Sequence, residues 1–537
     1  MPELTIGRVT PRVGVTSNLT LKIHLNRTNS FISTSITLVK QKLIDMADSK
    51  PQGEGVKRAR VEDISSGELQ LTEEERRLDR ETLVRLDLLL MPLTLILYLL
   101  AWLDRANVGN ARIAGLDRDL NLSDHQYKVA ITVTYVPYIL AELPSNLILK
   151  KIGPRILLPT LCTIWGTVTI LQSQASSFGG FVACRFFLGL FEGGLFPGIV
   201  LYLSGFYRRH ELQVRIALFF SAASLSGAFS GLLAAAIEQM DGLRGLRGWQ
   251  WIFILEGVFT VCFGLCSFVI FPNSPANVLT FKSCHIDRCS ARLRADGNAH
   301  DDEQVSARAV FSVLKDLHVW CLCAVLFCNG VCLFGLAYFS PSIVQTMGYN
   351  NTTTQLLTVP PYACGFVITM AVAYLADRFQ QRGLSALGSC GIAMIGAILM
   401  LLGRSVAVRY AALVVFVTGI YSCAPCLISW VPNNSAGYSR RATAVAMGFI
   451  STSSGGILST WIYPKADAPY YQLGAKVNLS LSAIGMGLAT VQIGLLVLLN
   501  RRKKVTRTEI LDGLEGHTLE DQKALLGDRH PDYRYTY

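Results

Sequence analysis

Six ionisable side chains stand in stretches that otherwise read as apolar: Asp104, Arg105, Glu142, Arg185, Glu192 and Glu256. An ionised residue at the centre of a membrane helix costs about 2.5–3.5 kcal/mol on insertion scales, so it faces protein or a water-filled cavity. The two chemistries on offer are complementary. A guanidinium stays charged and can grip a carboxylate through two parallel hydrogen bonds, whereas a carboxylate withdrawn from water can take up a proton near neutral pH. Together they could hold an organic anion and carry a proton beside it. Arg185 and Glu192 are seven residues apart, about 700° of helical rotation and about 10 Å of rise, so they share a face without touching. Each therefore needs another partner: a second helix, water or a substrate. The competing reading is a structural ion pair stitching the first and fourth helices. Glu142 and Glu256, beside Pro144 and Gly257, are expected to serve helix packing.

All six belong to the first half of the apolar region. The second half offers mostly neutral polar groups, including Asn329, Tyr338, Tyr421, Ser422 and the run from Ser451 to Ser454; Asn329 and Tyr421 are its candidates for lining a cavity. One half looks equipped for charge and the other for shape and hydrogen bonding. Gly189, Gly193 and Gly194, and Gly227 with Gly231, are expected to permit close backbone approach.

The elements that must position these groups are membrane helices. The chain is 51% hydrophobic and 16% charged, with a mean hydropathy of +0.38, values that fit a membrane protein and not a large soluble one. A hydrocarbon core about 30 Å thick takes about 20 helical residues per crossing, and about twelve such runs follow one another. They centre on 88–103, 127–149, 156–172, 178–203, 216–237, 251–271, 317–338, 356–375, 384–402, 410–430, 442–463 and 479–499. The expected fold is all-α and polytopic, with six-helix bundles over 86–271 and 317–499, a linker over 272–316 and tails over 1–85 and 500–537. The net charge of +11 reads as topology, because the basic residues gather in alternate connections. Lys150, Lys151, Arg155, Arg208, Arg209, Arg440, Arg441 and the run 501–504 would face the cytosol with both termini, against an opposing group of Arg105, Arg112 and Arg118. The lipid bilayer is thus the expected partner, and nucleic acid is not. No signal-peptide core opens the chain; the first 45 residues are expected to be disordered, and Met46 is a candidate start. Thr72-Glu-Glu-Glu75 reads as a capping box opening the helix that leads into the first crossing.

Two connections resemble each other and a known family. Asn146-Leu-Ile-Leu-Lys-Lys-Ile-Gly-Pro-Arg155 follows the second run and Ala373-Tyr-Leu-Ala-Asp-Arg-Phe-Gln-Gln-Arg382 the eighth. Both resemble the loop G-x-L-a-D-r-x-G-r-k of the major facilitator superfamily, with Lys150 and Gln380 as departures. The resemblance implies that Lys150, Arg155, Asp377 and Arg378 belong to a charge lattice that holds helix ends together in one transport state. A more specific likeness, over roughly 83–499, is to the fungal anion:cation symporter branch that includes allantoate and nicotinate permeases. It is carried by LDRANVGNAR (103–112), VPYILAELPSN (136–146), RFFLGLFE (185–192), WQWIFILEG (249–257), LLTVPPY (356–362), SWVPNN (429–434) and the tail LGDRHPDYR (526–534), and departs in the linker at 280–284. Carried over residue by residue, the resemblance implies that Arg105 and Arg185 meet the anion and that Asp104 and Glu192 exchange the proton.

The resulting expectation is a carrier of a small organic anion, coupled to protons, working as a monomer in the plasma membrane. An export carrier of the same fold and a non-transporting nutrient sensor are the alternatives. An enzyme is not expected, since no nucleotide loop, zinc motif or nucleophile elbow is present, and neither is a cofactor or metal. Fourteen cysteines are scattered, mostly within the apolar runs; Cys423-Ala-Pro-Cys426 and the group Cys284, His285 and Cys289 lack the pattern of a redox or zinc site. Asn121, Asn350, Asn351 and Asn478 head glycosylation sequons in connections placed outside, and Asn433 heads one placed in the cytosol.

Overall fold

The computed structural model describes residues 72–278, 281–295, 307–379, 381–436, 438–507, 511, 522 and 526–537; the readings made for residues 1–71, Met46 among them, lie outside these. Helix α1 (Glu73–Ile113) begins directly after Thr72 and runs without a break from the tail into the first crossing. It is followed by α2 (Asp124–Ile152), α3 (Pro154–Gln172), α4 (Phe178–Glu192) continued by α5 (Leu195–Ser204), α6 (Arg209–Ile237) and α7 (Gly248–Ile270). Two short helices, α8 (Ser283–Ala295) and α9 (Ala307–Val313), lie in the linker. The second series is α10 (Leu317–Gln345), α11 (Asn351–Phe379), α12 (Arg382–Leu402), α13 (Val406–Asn433), α14 (Tyr438–Ser459) and α15 (Gln472–Val505). No strand occurs among the described residues.

Ten of the described helices, counting α4 and α5 as one, are long and apolar enough to cross a bilayer. The other two crossings, α2 and α14, are more polar: α2 carries Asp124, Lys128 and Glu142, and α14 Arg440, Arg441 and its Ser/Thr run. These two helices pack on each other between the halves, so part of their surface meets protein and not lipid. Thr132 and Thr460 share a hydrogen bond of 2.8 Å across that seam. On the other side, α6 packs on α11 and α13. A Cβ on Gly231 would lie 2.7 Å from the Gln355 carbonyl oxygen of α11, so the bare backbone is what lets α6 seat there. The break between α4 and α5 falls at Gly193 and Gly194, where the fourth crossing presses on α2: a Cβ on either would collide with Tyr138 or Ser145.

At the end where the described chain begins at Thr72 and finishes at Tyr537, the terminus-bearing end below, each half is strapped. Arg288 of α8 pairs with Asp79 (2.6 Å) and Glu75 (3.2 Å), while Arg292 pairs with Glu211, joining α1 to α6. Of the three linker residues that spell a metal-like group, His285 and Cys289 serve this packing. His285 Nδ1 is 3.1 Å from the Thr82 hydroxyl, the Cys289 thiol contacts the Phe206 carbonyl at 3.8 Å, and Cys284 is exposed. Burial pushes the Cys289 thiol up to about 11. On the second half, the chain end returns over the helix tips. The Thr536 carbonyl accepts from Trp430 (2.8 Å) and Asn434 (3.0 Å), and Lys503 of α15 donates to the carbonyls of Asp528 and Tyr533. At the opposite end, Lys465 of the second half pairs with Asp117 of the first at 2.7 Å.

Candidate functional site

The buried residues of α4 are Phe181, Arg185, Leu188, Gly189 and Glu192, one helical face, so Arg185 and Glu192 do stand one above the other. Their partners differ. Glu192 Oε1 accepts a hydrogen bond of 2.6 Å from Arg105 of α1, forming an ion pair that is almost wholly buried. Arg105 is enclosed further by rings from three helices: its guanidinium carbon lies 5.2 Å from the Trp102 ring, 4.9 Å from Tyr138 and 5.3 Å from Phe334. Such cation–π contacts compensate a charge for lost water without neutralising it. Phe334 belongs to the second half and stacks on Trp102, 5.4 Å apart and nearly parallel.

Arg185 is 3% exposed and makes no ion pair among the described residues; its Nε has no hydrogen-bond partner. It rests between Phe181 (5.4 Å) and Phe253 of α7 (5.7 Å). Asp104 and Glu256 are within electrostatic reach of it but beyond contact. Asp104 turns away from its neighbour Arg105 toward α3, where Oδ1 accepts from the Thr169 hydroxyl at 3.0 Å; Oδ2 has no partner among the described residues. Glu256 accepts from the Asn107 amide, tying α7 to α1.

From the second half, Tyr338 accepts a hydrogen bond of 3.1 Å from Tyr135. Tyr421 reaches the group through Trp102 (6.4 Å between ring centres) and Tyr362 (5.4 Å). Asn329 does not reach it: its amide donates to the Ile420 carbonyl of α13 at 3.4 Å. The halves also touch on either side of the group, through Lys465 and Asp117 at the far end and through Phe196 and Phe449, 3.9 Å apart, toward the terminus-bearing end. The group is therefore enclosed.

The loop residues are dispersed. Arg155 donates to the Phe268 carbonyl at 3.3 Å and Arg378, exposed, to the Tyr374 hydroxyl at 3.3 Å; the side chains of Lys150 and Asp377 lie outside those described. Of the sequons, Asn121 and Asn350 are exposed and Asn351 opens α11. Asn478 instead lies buried inside α15, its amide committed to the Tyr463 hydroxyl at 2.7 Å. In the Cys423 to Cys426 motif the close sulfur neighbour of Cys423 is Cys390 of α12 at 3.4 Å, while Cys426 contacts the Ser422 carbonyl.

What sequence reasoning missed is the aromatic enclosure. Trp102 stands three residues before Arg105, one turn away on the same helix, and could have been noticed; Phe334 sits in a largely apolar run that gives no such cue, four residues before the Tyr338 that the sequence does single out.

Residues 94–460 match the sequence model of the Major Facilitator Superfamily. An uncharacterized transporter of Schizosaccharomyces pombe is 35% identical over 442 residues, 82% of this chain and 88% of that protein. The high-affinity nicotinic acid transporter of Saccharomyces cerevisiae is 31% identical over 462 residues, 86% of this chain and 85% of that protein. Among solved structures, the proton:xylose symporter XylE bound to 6-bromo-6-deoxy-D-glucose shares the fold with a TM-score of 0.59 and 14% identity, covering 75% of this chain and 94% of that one. A bacterial homolog of the human lysosomal transporter Spinster, inward-facing and occupied, does so with a TM-score of 0.57 and 13% identity, covering 75% and 96%.

Proposed function

The chain belongs to the Major Facilitator Superfamily, and from that premise we propose that this multi-pass membrane transporter carries a small organic anion together with a proton by alternating access. The observation that carries the reading is Arg185. A guanidinium enclosed in protein with no carboxylate in contact is a charge awaiting a counter-ion, and a substrate carboxylate supplies one with matching bidentate geometry. Arg105 adds the coupling. Its hydrogen bonds go either to Glu192 or to a substrate, so a proton placed on Glu192 releases Arg105 toward the anion, and the two ligands then bind better together than apart. Asp104, held by Thr169, is the second carboxylate able to exchange that proton. Tyr421 and the rings about Arg105 would shape the rest of the site, and Lys150, Arg155, Asp377 and Arg378 would act at the cytosolic gate. The name of the yeast relative, a nicotinic acid transporter, is in keeping with an aromatic carboxylate substrate.

We place both termini in the cytosol, the protein in the plasma membrane, and the monomer as the working unit. A glycan at Asn121 or Asn350 supports that orientation, and one at Asn433 reverses it. The functional test is uptake of labelled nicotinate and of a panel of other carboxylates and ureides by a permease-deficient fungal cell, with and without a proton gradient. Gradient-dependent accumulation of a carboxylate is expected. Extrusion of the panel compounds, or binding without turnover, would replace the reading with an exporter or a sensor.

A further inference from the structure

The charge group leaves one carboxylate unexplained. Glu142 of α2 is 1% exposed, and neither of its oxygens has a hydrogen-bond partner among the described residues. It stands four residues beyond Tyr138, on the same helical face, and the Tyr138 ring lies 4.9 Å from the Arg105 guanidinium carbon. Ten residues separate Glu142 from the end of α2 at Ile152, about 15 Å of helix, so it lies on the terminus-bearing side of the Arg105–Glu192 pair. The fourth crossing is laid tightly along this stretch: a Cβ on Gly189 would strike the Thr134 carbonyl, one on Gly193 that of Tyr138, and one on Gly194 the Ser145 side chain.

No described cation is spent on it. On α4 the charged groups are Arg185, between its two phenylalanines, and Glu192, on Arg105 of α1. On α3, Arg155 bonds the Phe268 carbonyl and Cys162 the Thr260 carbonyl. The ionisable side chain of α5, Tyr202, donates to the Pro272 carbonyl. On α14, Arg440 is held by Asp316 and Asp528, and Arg441 donates to the Ser435 carbonyl. Within α2, Lys128 is paired with Asp124 a long way up the helix, and Tyr135 with Tyr338. A carboxylate so placed is compatible with its surroundings only while it carries a proton, and it sits between the central pair and the water at the terminus-bearing end.

We propose that Glu142 is the relay that passes the transported proton between Glu192 and the water at the terminus-bearing end. Glu142 first gives its own proton to bulk water; the O–H bond at Glu192 then breaks as one re-forms at Glu142, through Tyr138 or water, which leaves Glu192 a carboxylate on Arg105, and no redox chemistry is involved. The inference rests on the symport reading above. It differs from a structural role, in which the proton would never leave.

The test uses the full-length protein in lipid nanodiscs and infrared difference spectra across neutral and alkaline pH, which need no substrate. Wild type and Glu192→Gln should show a protonated-carboxyl C=O band that disappears reversibly as pH rises, and Glu142→Gln should lack it. Glu142→Asp, which keeps the acid, should retain a shifted band and so exclude misfolding as the cause. In vesicles, Glu142→Gln should slow gradient-driven nicotinate uptake by about tenfold or more, as loss of a positioned proton carrier does, while leaving nicotinate exchange intact. A Glu142 band that persists at every pH, or no band assignable to Glu142, overturns the relay. Uptake that ignores the gradient in wild type overturns the symport reading and the relay with it. A gradient-driven wild type matched by Glu142→Gln overturns the relay alone.

Discussion

The two halves of this transporter meet in one buried group with different chemistry. The first half contributes Asp104, Arg105, Arg185, Glu192 and Glu256, all buried. From the second come Phe334, Tyr338 and Tyr421. Buried cations of the second half are spent at helix ends: Arg382 on the Ser429 carbonyl, Arg409 on Thr346 and Pro469, and Lys503 on the returning tail. The contrast teaches a division of labour. On the proposed mechanism, charge that is loaded and unloaded sits in one bundle, where Arg105 and Glu192 would switch partners. The other bundle can then be altered in shape without disturbing the ionic balance.

The largest break in that contrast should come from Arg185→Ala. Losing charge-assisted hydrogen bonds to the anion, about 1.5–3 kcal/mol each, should raise the half-saturation concentration for uptake by roughly 10- to 100-fold at 1.4 kcal/mol per decade, with Arg185→Lys intermediate. Next, Glu192→Gln should abolish the dependence of uptake on a proton gradient yet keep exchange of labelled for unlabelled substrate; full gradient-driven uptake by this variant would remove Glu192 from the proton path. A smaller effect is expected from Phe334→Leu or Tyr421→Leu, which should change the rank order of carboxylates by about 1 kcal/mol, the scale of one aromatic contact, without moving the pH profile. A shifted profile would mean that the second half shares in coupling. Smallest should be Lys465→Ala, which removes a half-exposed bridge worth about 0–1 kcal/mol. Its readout is faster labelling of a cysteine placed at Thr460 by a membrane-impermeant reagent, as the far-end contact opens more often.

Much of this was legible in the sequence, and the reasons are physical. Apolar run lengths give the crossings because the bilayer imposes a length, and the seven-residue spacing of Arg185 and Glu192 gives their shared face. Partner choice was not legible. The competing reading of an ion pair between the first and fourth helices names the elements, and Arg105 and Glu192 form such a pair, but periodicity does not say that Arg105, 87 positions away, will be the one to meet Glu192 while Arg185 is left alone. Asp104 and Arg105, adjacent in sequence, point to different helices for the same reason that neighbours on a helix always do. Glu142 reads as a packing residue because Pro144 dominates its local sequence; only the missing hydrogen bonds set it apart. The sequon at Asn478 was read in a connection, yet the last helix starts at Gln472 and buries it. The chain end is marked by its likeness to relatives; it docks partly through the Asp528 carboxylate on Arg440 and partly through main-chain carbonyls of Asp528, Tyr533 and Thr536, which no side-chain pattern reveals.

On the proposed function, Arg185 is a cation reserved for the substrate's negative charge. Thermal unfolding of purified wild type and Arg185→Ala in the presence of nicotinate or its uncharged amide tests it, because a ligand that binds only the folded state raises the melting temperature. The prediction is that nicotinate stabilises wild type, the amide does not, and neither stabilises Arg185→Ala. Equal stabilisation by acid and amide, or by nicotinate in wild type and Arg185→Ala alike, would contradict it.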